Sequence, residues 1–138
     1  MLTEKRIKEA ETNVKSYIED RLMKKEDFKQ IVFDILYKNS QESIEIAEFL
    51  SENKKSDMWI IVASYYAMYY MANAILYKKG HKIGEKISHK ITADALIVFV
   101  REDLKESILE DYEEVKEQAL AGIKADEVIE SFDFERKK

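Results

Sequence analysis

Residues 58–77 (MWIIVASYYAMYYMANAILY) contain no charged side chain in twenty positions, although 37% of the 138-residue chain is charged. A run of about twenty apolar residues is long enough to cross a bilayer. Membrane helices usually place their tyrosines at the two interfaces, whereas this run carries them through its middle, together with Ser64 and Asn73. Helices that are apolar on all sides also occur inside bundles. We therefore predict a buried central helix and no membrane contact.

The turn-forming residues are too few for a strand-rich fold. The chain has no proline and only three glycines, Gly80, Gly84 and Gly122, whereas strand-rich folds need turn residues about every eight to twelve positions. It also has no cysteine, which excludes disulfides and thiolate metal sites. The N-terminal segment lacks the apolar run of a secretory signal. These features favour a cytoplasmic helical protein.

Apolar residues recur at helical spacing along most of the chain. Side chains suited to cap helix N-termini mark the predicted helix starts at Thr3, Asp27, Ser56 or Asp57, Ser88, Asp103 and Asp126. We expect the second helix to end near Asn53, the third near Lys79 and the fifth at Gly122. The prediction is one domain, residues 1–138, folded as an all-α up-and-down bundle of five or six helices. The second and third helices are expected to form a long antiparallel pair.

The common enzyme signatures are absent from the sequence. It contains no glycine-rich phosphate loop, no H-E-x-x-H motif and no G-x-S-x-G motif. Two histidines alone, His81 and His89, make a poor metal site, so we expect neither a metal nor another cofactor. The formal net charge is −5, and the field of the whole molecule therefore does not attract nucleic acid.

A local excess of positive charge follows the central helix. Residues 78–90 hold five lysines and one acidic residue, Glu85. The helix dipole alone favours cations near a helix C-terminus, which is the structural alternative. The functional interpretation is a phosphate-binding patch for RNA or a nucleotide, to which the N-terminus of the next helix could add backbone donors. The candidate binding residues are Lys78, Lys79, His81, Lys82, Lys86, His89, Lys90, Tyr69 and Asn73.

A set of short motifs resembles the HEPN domain family. They are SQESIEIAEFL (40–50), DMW (57–59), SYYAMY (64–69), ANA (72–74), a glycine after that helix, SHK (88–90), YEE (112–114) and AD (125–126). The resemblance begins at about residue 28 and extends to the C-terminus, and SYYAM is its most specific part. It implies an up-and-down bundle that forms a homodimer, with residues 1–25 as an extra N-terminal helix.

The resemblance also implies several functions. HEPN domains often accompany a small nucleotidyltransferase as a toxin–antitoxin pair, and others cut RNA or bind nucleotides. The ribonuclease members carry an R-x4-6-H motif, in which the arginine stabilises a phosphate and the histidine transfers protons. No histidine stands at that spacing after any arginine of this chain, namely Arg6, Arg21, Arg101 and Arg136.

We therefore expect a non-catalytic module that binds RNA, a nucleotide or a partner protein. Two alternatives stay open at this point. One is a ribonuclease with an atypical centre built on His89, the only candidate catalytic residue. The other is a purely structural protein that uses its tyrosine-rich helix for dimerisation.

Overall fold

The computed structural model describes the backbone of residues 2–137 and the side chains of residues 2–123. Within these residues the elements are α1 (Glu4–Glu19), β1 (Met23–Lys25), α2 (Gln30–Glu52), α3 (Asp57–Lys78), β2 (His81–Ile83), α4 (Ser88–Phe99) and α5 (Glu106–Lys137). Five helices dominate the described chain, and the prediction of an all-α bundle is confirmed.

The charge-free run forms α3, which packs against α2, α4 and α5. Its Tyr65 and Tyr77 side chains are fully buried. The Ser56 side chain caps its start by accepting a hydrogen bond from the backbone N–H of Trp59 at 3.3 Å. Gly80 follows its end with a φ of +97°, a conformation that glycine adopts without steric cost. Both predicted ends of this helix are therefore close to the observed ones.

Among the described residues, α3 is the one helix with the length and composition that a membrane-crossing helix needs. Its most apolar 18-residue window has a mean hydropathy of 1.2, and 33% of that window is buried. The core helix of a bundle meets the same criterion, and α3 packs against three other helices. Since only a third of the window is buried, the predicted absence of membrane contact stays a prediction.

α2 and α3 form the long antiparallel pair that the sequence predicts. The Ser40 hydroxyl of α2 donates a hydrogen bond to the Ala67 carbonyl of α3 at 2.7 Å, in the middle of the contact. α3 is the only described element with which α2 makes extensive contact. Among residues 2–123, the opposite face of α2 is therefore left without a neighbouring element.

α1 belongs to the hydrophobic core. Thr3 caps the helix by accepting a hydrogen bond from the backbone N–H of Arg6 at 3.1 Å. The apolar stripe Ala10, Val14 and Tyr17 is buried and packs towards α4. Whether residues 1–25 are an addition to a family core stays a prediction.

Two short strands, which the sequence analysis does not predict, lie before α2 and after α3. β1 and β2 pair antiparallel, with Met23 opposite Ile83, Lys24 opposite Lys82 and Lys25 opposite His81. The Gly84 N–H extends the ladder by donating to the Leu22 carbonyl at 2.9 Å. Three-residue strands carry too little alternation to be recognised from periodicity.

The start of α2 and of α4 differs from the predicted caps. Lys29, not Asp27, precedes α2, and its backbone N–H donates to the Tyr77 hydroxyl at 2.9 Å. Ser88 is the first residue of α4, and Ile87 takes the cap position with a left-handed φ of 47° and no side-chain cap. At the start of α2, a tertiary contact thus takes the place of a local cap.

α5 continues through the predicted end at Gly122 and begins at Glu106 instead of Asp103. A Cβ atom at Gly122 would lie 3.0 Å from the Cγ atom of Met58, so this glycine allows α5 to approach α3 closely. The separate last helix predicted from Asp126 is part of α5. Its predicted apolar side chains, Val128, Ile129, Phe132 and Phe134, lie outside the described side chains.

Candidate functional site

The structure separates the predicted binding residues into two groups at opposite ends of α4. His81 stacks on Phe99, at the C-terminal end of α4, with 3.9 Å between the ring centres. His89 lies at the N-terminal end of α4 against Tyr69, with 4.7 Å between the ring centres. Ten residues of helix separate His89 from Phe99, which corresponds to about 15 Å. The structure therefore does not bring the predicted residues together in one patch, and their role in binding stays a prediction.

The first group is the basic ribbon, which we define as the lysines of β1, β2 and the end of α3: Lys24, Lys25, Lys78, Lys79 and Lys82. Sequence analysis missed Lys24 and Lys25, because their proximity to the others depends on the strand pairing. Lys24 lies directly opposite Lys82. Like charges at facing positions of two strands are destabilising, and an anion bound between them would relieve the repulsion.

The surroundings of the basic ribbon leave most of its charge available. The Nζ atom of Lys79 lies 2.9 Å from a carboxylate oxygen of Asp103, and both side chains are exposed, so that this ion pair is weak. Among the side chains of residues 2–123, no carboxylate lies within ion-pair distance of Lys24, Lys25 or Lys82. The ribbon is therefore a local cationic surface in an acidic protein.

Two of the ribbon lysines lie over aromatic rings in cation–π geometry. The Nζ atom of Lys82 lies 5.9 Å from the centre of the Tyr77 ring, and that of Lys78 lies 5.7 Å from the centre of the Phe33 ring. Burial lowers the pKa of His81, and Lys25 and Lys79 lower it further. His81 is therefore neutral at neutral pH, and the positive charge of the ribbon comes from its lysines.

The second group is the tyrosine cluster, which consists of Tyr65, Tyr66, Tyr69, Tyr112 and His89. The Tyr65 hydroxyl lies 2.6 Å from the Nδ1 atom of His89. Burial raises the pKa of Tyr65, and burial, with a smaller contribution from Lys116, lowers the pKa of His89. At neutral pH the tyrosine is protonated and the imidazole is neutral, and the two groups share one hydrogen bond whose donor is set by which ring nitrogen carries the proton.

The other predicted residues near the start of α4 have different surroundings. Lys86 and Lys90 are exposed. The amide of Asn73 donates to the Tyr69 carbonyl at 2.9 Å and to the Thr92 hydroxyl at 3.2 Å, within the bundle. Asn73 therefore joins α3 to α4 through the N–H groups of its amide.

Among the side chains of residues 2–123 in one chain, no arginine is in contact with the tyrosine cluster. The guanidinium of Arg6 is paired with Asp94 at 2.7 Å and with Glu113 at 2.6 Å. The cation that affects the His89 pKa is Lys116, and not an arginine. The cluster thus contains a proton-transfer group without a partner suited to bidentate phosphate contact.

A buried polar network around Asp94 is the main feature that sequence analysis missed. Asp94 is 1% exposed. It accepts hydrogen bonds from the Arg6 guanidinium at 2.7 Å, the Tyr17 hydroxyl at 2.6 Å and the Asn13 amide at 3.2 Å. One available signal was a carboxylate in the otherwise apolar segment ITADALIVF, because buried charges need partners. The network holds α1 against α4 and α5.

An apolar cavity of about 680 Å³ lies between α2, α3, α4 and α5. Its lining includes Ile44, Met68, Met71, Leu104 and Ile108. None of the predicted binding residues contributes to it. In residues 2–123 no group of three or more His, Asp or Glu side chains is arranged to hold a metal ion.

Comparisons with protein-family models, curated proteins and solved structures found no match to this chain.

Proposed function

We propose that the chain is a non-catalytic module that binds the phosphate groups of RNA or of a nucleotide at the basic ribbon. The observation that carries this proposal is the facing pair Lys24 and Lys82, which concentrates unpaired positive charge in a chain of net charge −5. Lysine ammonium groups bind phosphates as point charges, and each such contact on a nucleic acid releases counterions.

An exposed aromatic side chain beside the ribbon supports the choice of a nucleotide ligand over a simple anion. Phe28 is 46% exposed, and its ring centre lies 5.6 Å from that of the buried Tyr77. Stacking of a base on an exposed aromatic ring contributes about 1–3 kcal/mol in single-strand binding. In the proposed mode, the base stacks on Phe28 and the phosphates contact Lys24 and Lys82.

The HEPN resemblance supports a cellular setting for this module. In the proposed setting the protein is cytoplasmic, makes no membrane contact, needs no cofactor and works as a homodimer, with a small nucleotidyltransferase as its partner in a toxin–antitoxin-type system. The ribonuclease centred on His89 is the alternative function, and the hydrogen bond between His89 and Tyr65 is the observation that favours it.

Fluorescence anisotropy with a labelled single-stranded RNA tests the proposal. We expect Lys24→Glu/Lys82→Glu to weaken binding at least tenfold. The variant should also show a weaker salt dependence. The slope of the logarithm of the binding constant against the logarithm of the salt concentration should become less negative by about 0.7 for each phosphate that is no longer neutralised. A matched control is Lys5→Glu/Lys8→Glu, which changes the formal charge equally at exposed positions of α1. ATP in place of RNA distinguishes a mononucleotide site from an RNA site.

The result that contradicts the proposal is an affinity that both double variants reduce equally, or that neither reduces. Electrophoresis of the RNA from the same samples tests the alternative. If the wild type shortens the RNA and the His89→Ala variant does not, the result would favour the ribonuclease over the binding module.

A further inference from the structure

The outer face of α2 carries a regular seam of exposed residues. The seam residues are Ile31, Ile35, Lys38, Glu42, Glu45 and Phe49. Their spacing alternates between four and three residues, which is the a/d spacing of a coiled coil. This seam points away from Ser40 and Ala47, the residues of α2 that are buried against α3.

The exposure of the seam is unusual for large apolar side chains. Ile31 is 67% exposed, Ile35 is 53% exposed and Phe49 is 63% exposed, and Ile46 beside the seam is 54% exposed. Single exposed apolar residues are normal, whereas groups of them mark interaction sites, and here they form one group at each end of the seam, on either side of Lys38 and Glu42. Since α2 makes extensive contact only with α3, nothing within the described chain covers this face.

Pairing the seam with itself brings complementary residues together at its centre and at its ends. If two copies of α2 run antiparallel with residue 40 level with the twofold axis, Ile31 of one copy faces Phe49 of the other, whereas Ile35 faces Glu45, which is not a complementary pair. In the same register Lys38 faces Glu42 of the other copy, and Glu42 faces its Lys38. Position a then meets position d of the other helix throughout, as the packing of antiparallel coiled coils requires.

We propose that α2 binds α2 of a second copy of this chain as an antiparallel helix pair in this register. The charges select the orientation, because a parallel pair would place Lys38 against Lys38 and Glu42 against Glu42. The same charge complementarity identifies the binding partner as a second copy of this chain. An antiparallel copy of α2 places Glu42 opposite Lys38 and Lys38 opposite Glu42, whereas an unrelated helix need not carry these charges at the matching positions. The inference rests on α2 alone and is independent of phosphate binding.

Within one chain, Lys38 and Glu42 already form an ion pair with 3.8 Å between Nζ and the carboxylate oxygen. The side chains are 74% and 56% exposed, so this pair contributes little by itself. Polar residues at a and d positions of coiled coils set register and orientation while reducing stability. We therefore expect a specific dimer of moderate affinity, with a dissociation constant in the micromolar range.

A charge-exchange experiment tests the pairing by analytical ultracentrifugation at tens of micromolar. We expect the wild type to be dimeric. A Lys38→Glu dimer would bring two carboxylates together at each central position, and a Glu42→Lys dimer would bring two ammonium groups together there. Each variant alone should therefore dissociate at least tenfold more readily. An equimolar mixture of the two variants should recover the dimer, because opposite charges then meet at both central positions.

The mixture separates the contact between chains from the pair within one chain, since neither single variant can form the internal ion pair and mixing cannot restore it. Ile31→Asp should also give a monomer, with helix content by circular dichroism unchanged. The control Lys15→Glu on α1 should stay dimeric. A monomeric wild type, a dimer that the α2 variants do not weaken, or a mixture that remains monomeric would each overturn the inference.

Discussion

His89 illustrates how the surroundings of one residue determine its chemistry. Its sequence context, SHK at the start of a helix, suggests an exposed side chain. Instead the ring packs against Tyr65 and Tyr69, and burial lowers its pKa. The neutral imidazole shares a hydrogen bond with a buried hydroxyl, which gives it a structural role whether or not it also contacts a ligand.

This arrangement predicts how stability depends on pH. The pKa of His89 is about 6.5 in the unfolded chain and lower in the folded chain, so below pH 6.5 the unfolded state binds the proton more readily. The stabilisation is complete above that value and is lost as the pH falls through it towards the folded pKa. We expect the free energy of unfolding, measured with urea, to decrease between about pH 7.5 and 5.5.

His81 has a lowered pKa as well and contributes with the same sign. In the His89→Gln variant, whose side chain cannot titrate, the free energy of unfolding should therefore still decrease as the pH falls, but by less than in the wild type. An unchanged pH dependence in this variant would show that the environment of His89 does not disfavour its charged form.

At the scale of the elements, the two helical boundaries that contain glycine behave in opposite ways. Gly80 has a φ of +97° with open space around its Cβ position, whereas Gly122 lies inside α5 against the flexible side chain of Met58. The same residue type thus ends one helix and allows close packing in another.

Substitution by alanine should reveal this difference. We expect Gly80→Ala to lower the free energy of unfolding by about 1 kcal/mol, because alanine is strained at positive φ. Gly122→Ala should raise it by up to about 1 kcal/mol, because alanine favours the helix and methionine adapts to small changes in space. Urea denaturation at neutral pH measures both. A decrease in stability in Gly122→Ala would mean that Met58 cannot move.

The helices could be predicted because each depends mainly on local information. The charge-free run identifies α3, and regular apolar spacing identifies α1 and α2. The ribbon could not be predicted, since its strands are only three residues long and pair across a distance in sequence. The site could not be predicted as a unit for the same reason. Residues 78–90 are close in sequence, but His81 and His89 lie at opposite ends of α4. The pairing of β1 with β2 adds Lys24 and Lys25, which are distant in sequence.

At the scale of the whole molecule, Asp94 connects three helices. The Arg6 guanidinium of α1 bridges Asp94 of α4 and Glu113 of α5, and the carboxylate of Asp94 is almost fully buried. Removing one partner of a buried ion pair leaves the other charge without compensation, which is strongly destabilising.

We expect Asp94→Ala to lower the free energy of unfolding by about 3 kcal/mol, the lower end for a broken buried ion pair, since the Tyr17 hydroxyl and the Asn13 amide lose their acceptor and Arg6 keeps only Glu113. Asp103→Ala is the control, because it removes an exposed ion pair that contributes at most about 1 kcal/mol. Urea denaturation of both variants beside the wild type gives the comparison. Equal effects of the two substitutions would show that the buried network does not hold α1 in place.

The pairing of β1 with β2 has a consequence for the order of folding. It joins residues 23 and 83, sixty positions apart, and closing a long loop costs entropy before the new contacts compensate for it. The α2–α3 hairpin closes only a short turn and is favoured to form first. During synthesis, Lys24 and Lys25 leave the ribosome long before Lys82 can join them. The surface that we propose for phosphate binding therefore exists only after the hairpin has folded, and a nascent chain cannot bind its ligand prematurely there.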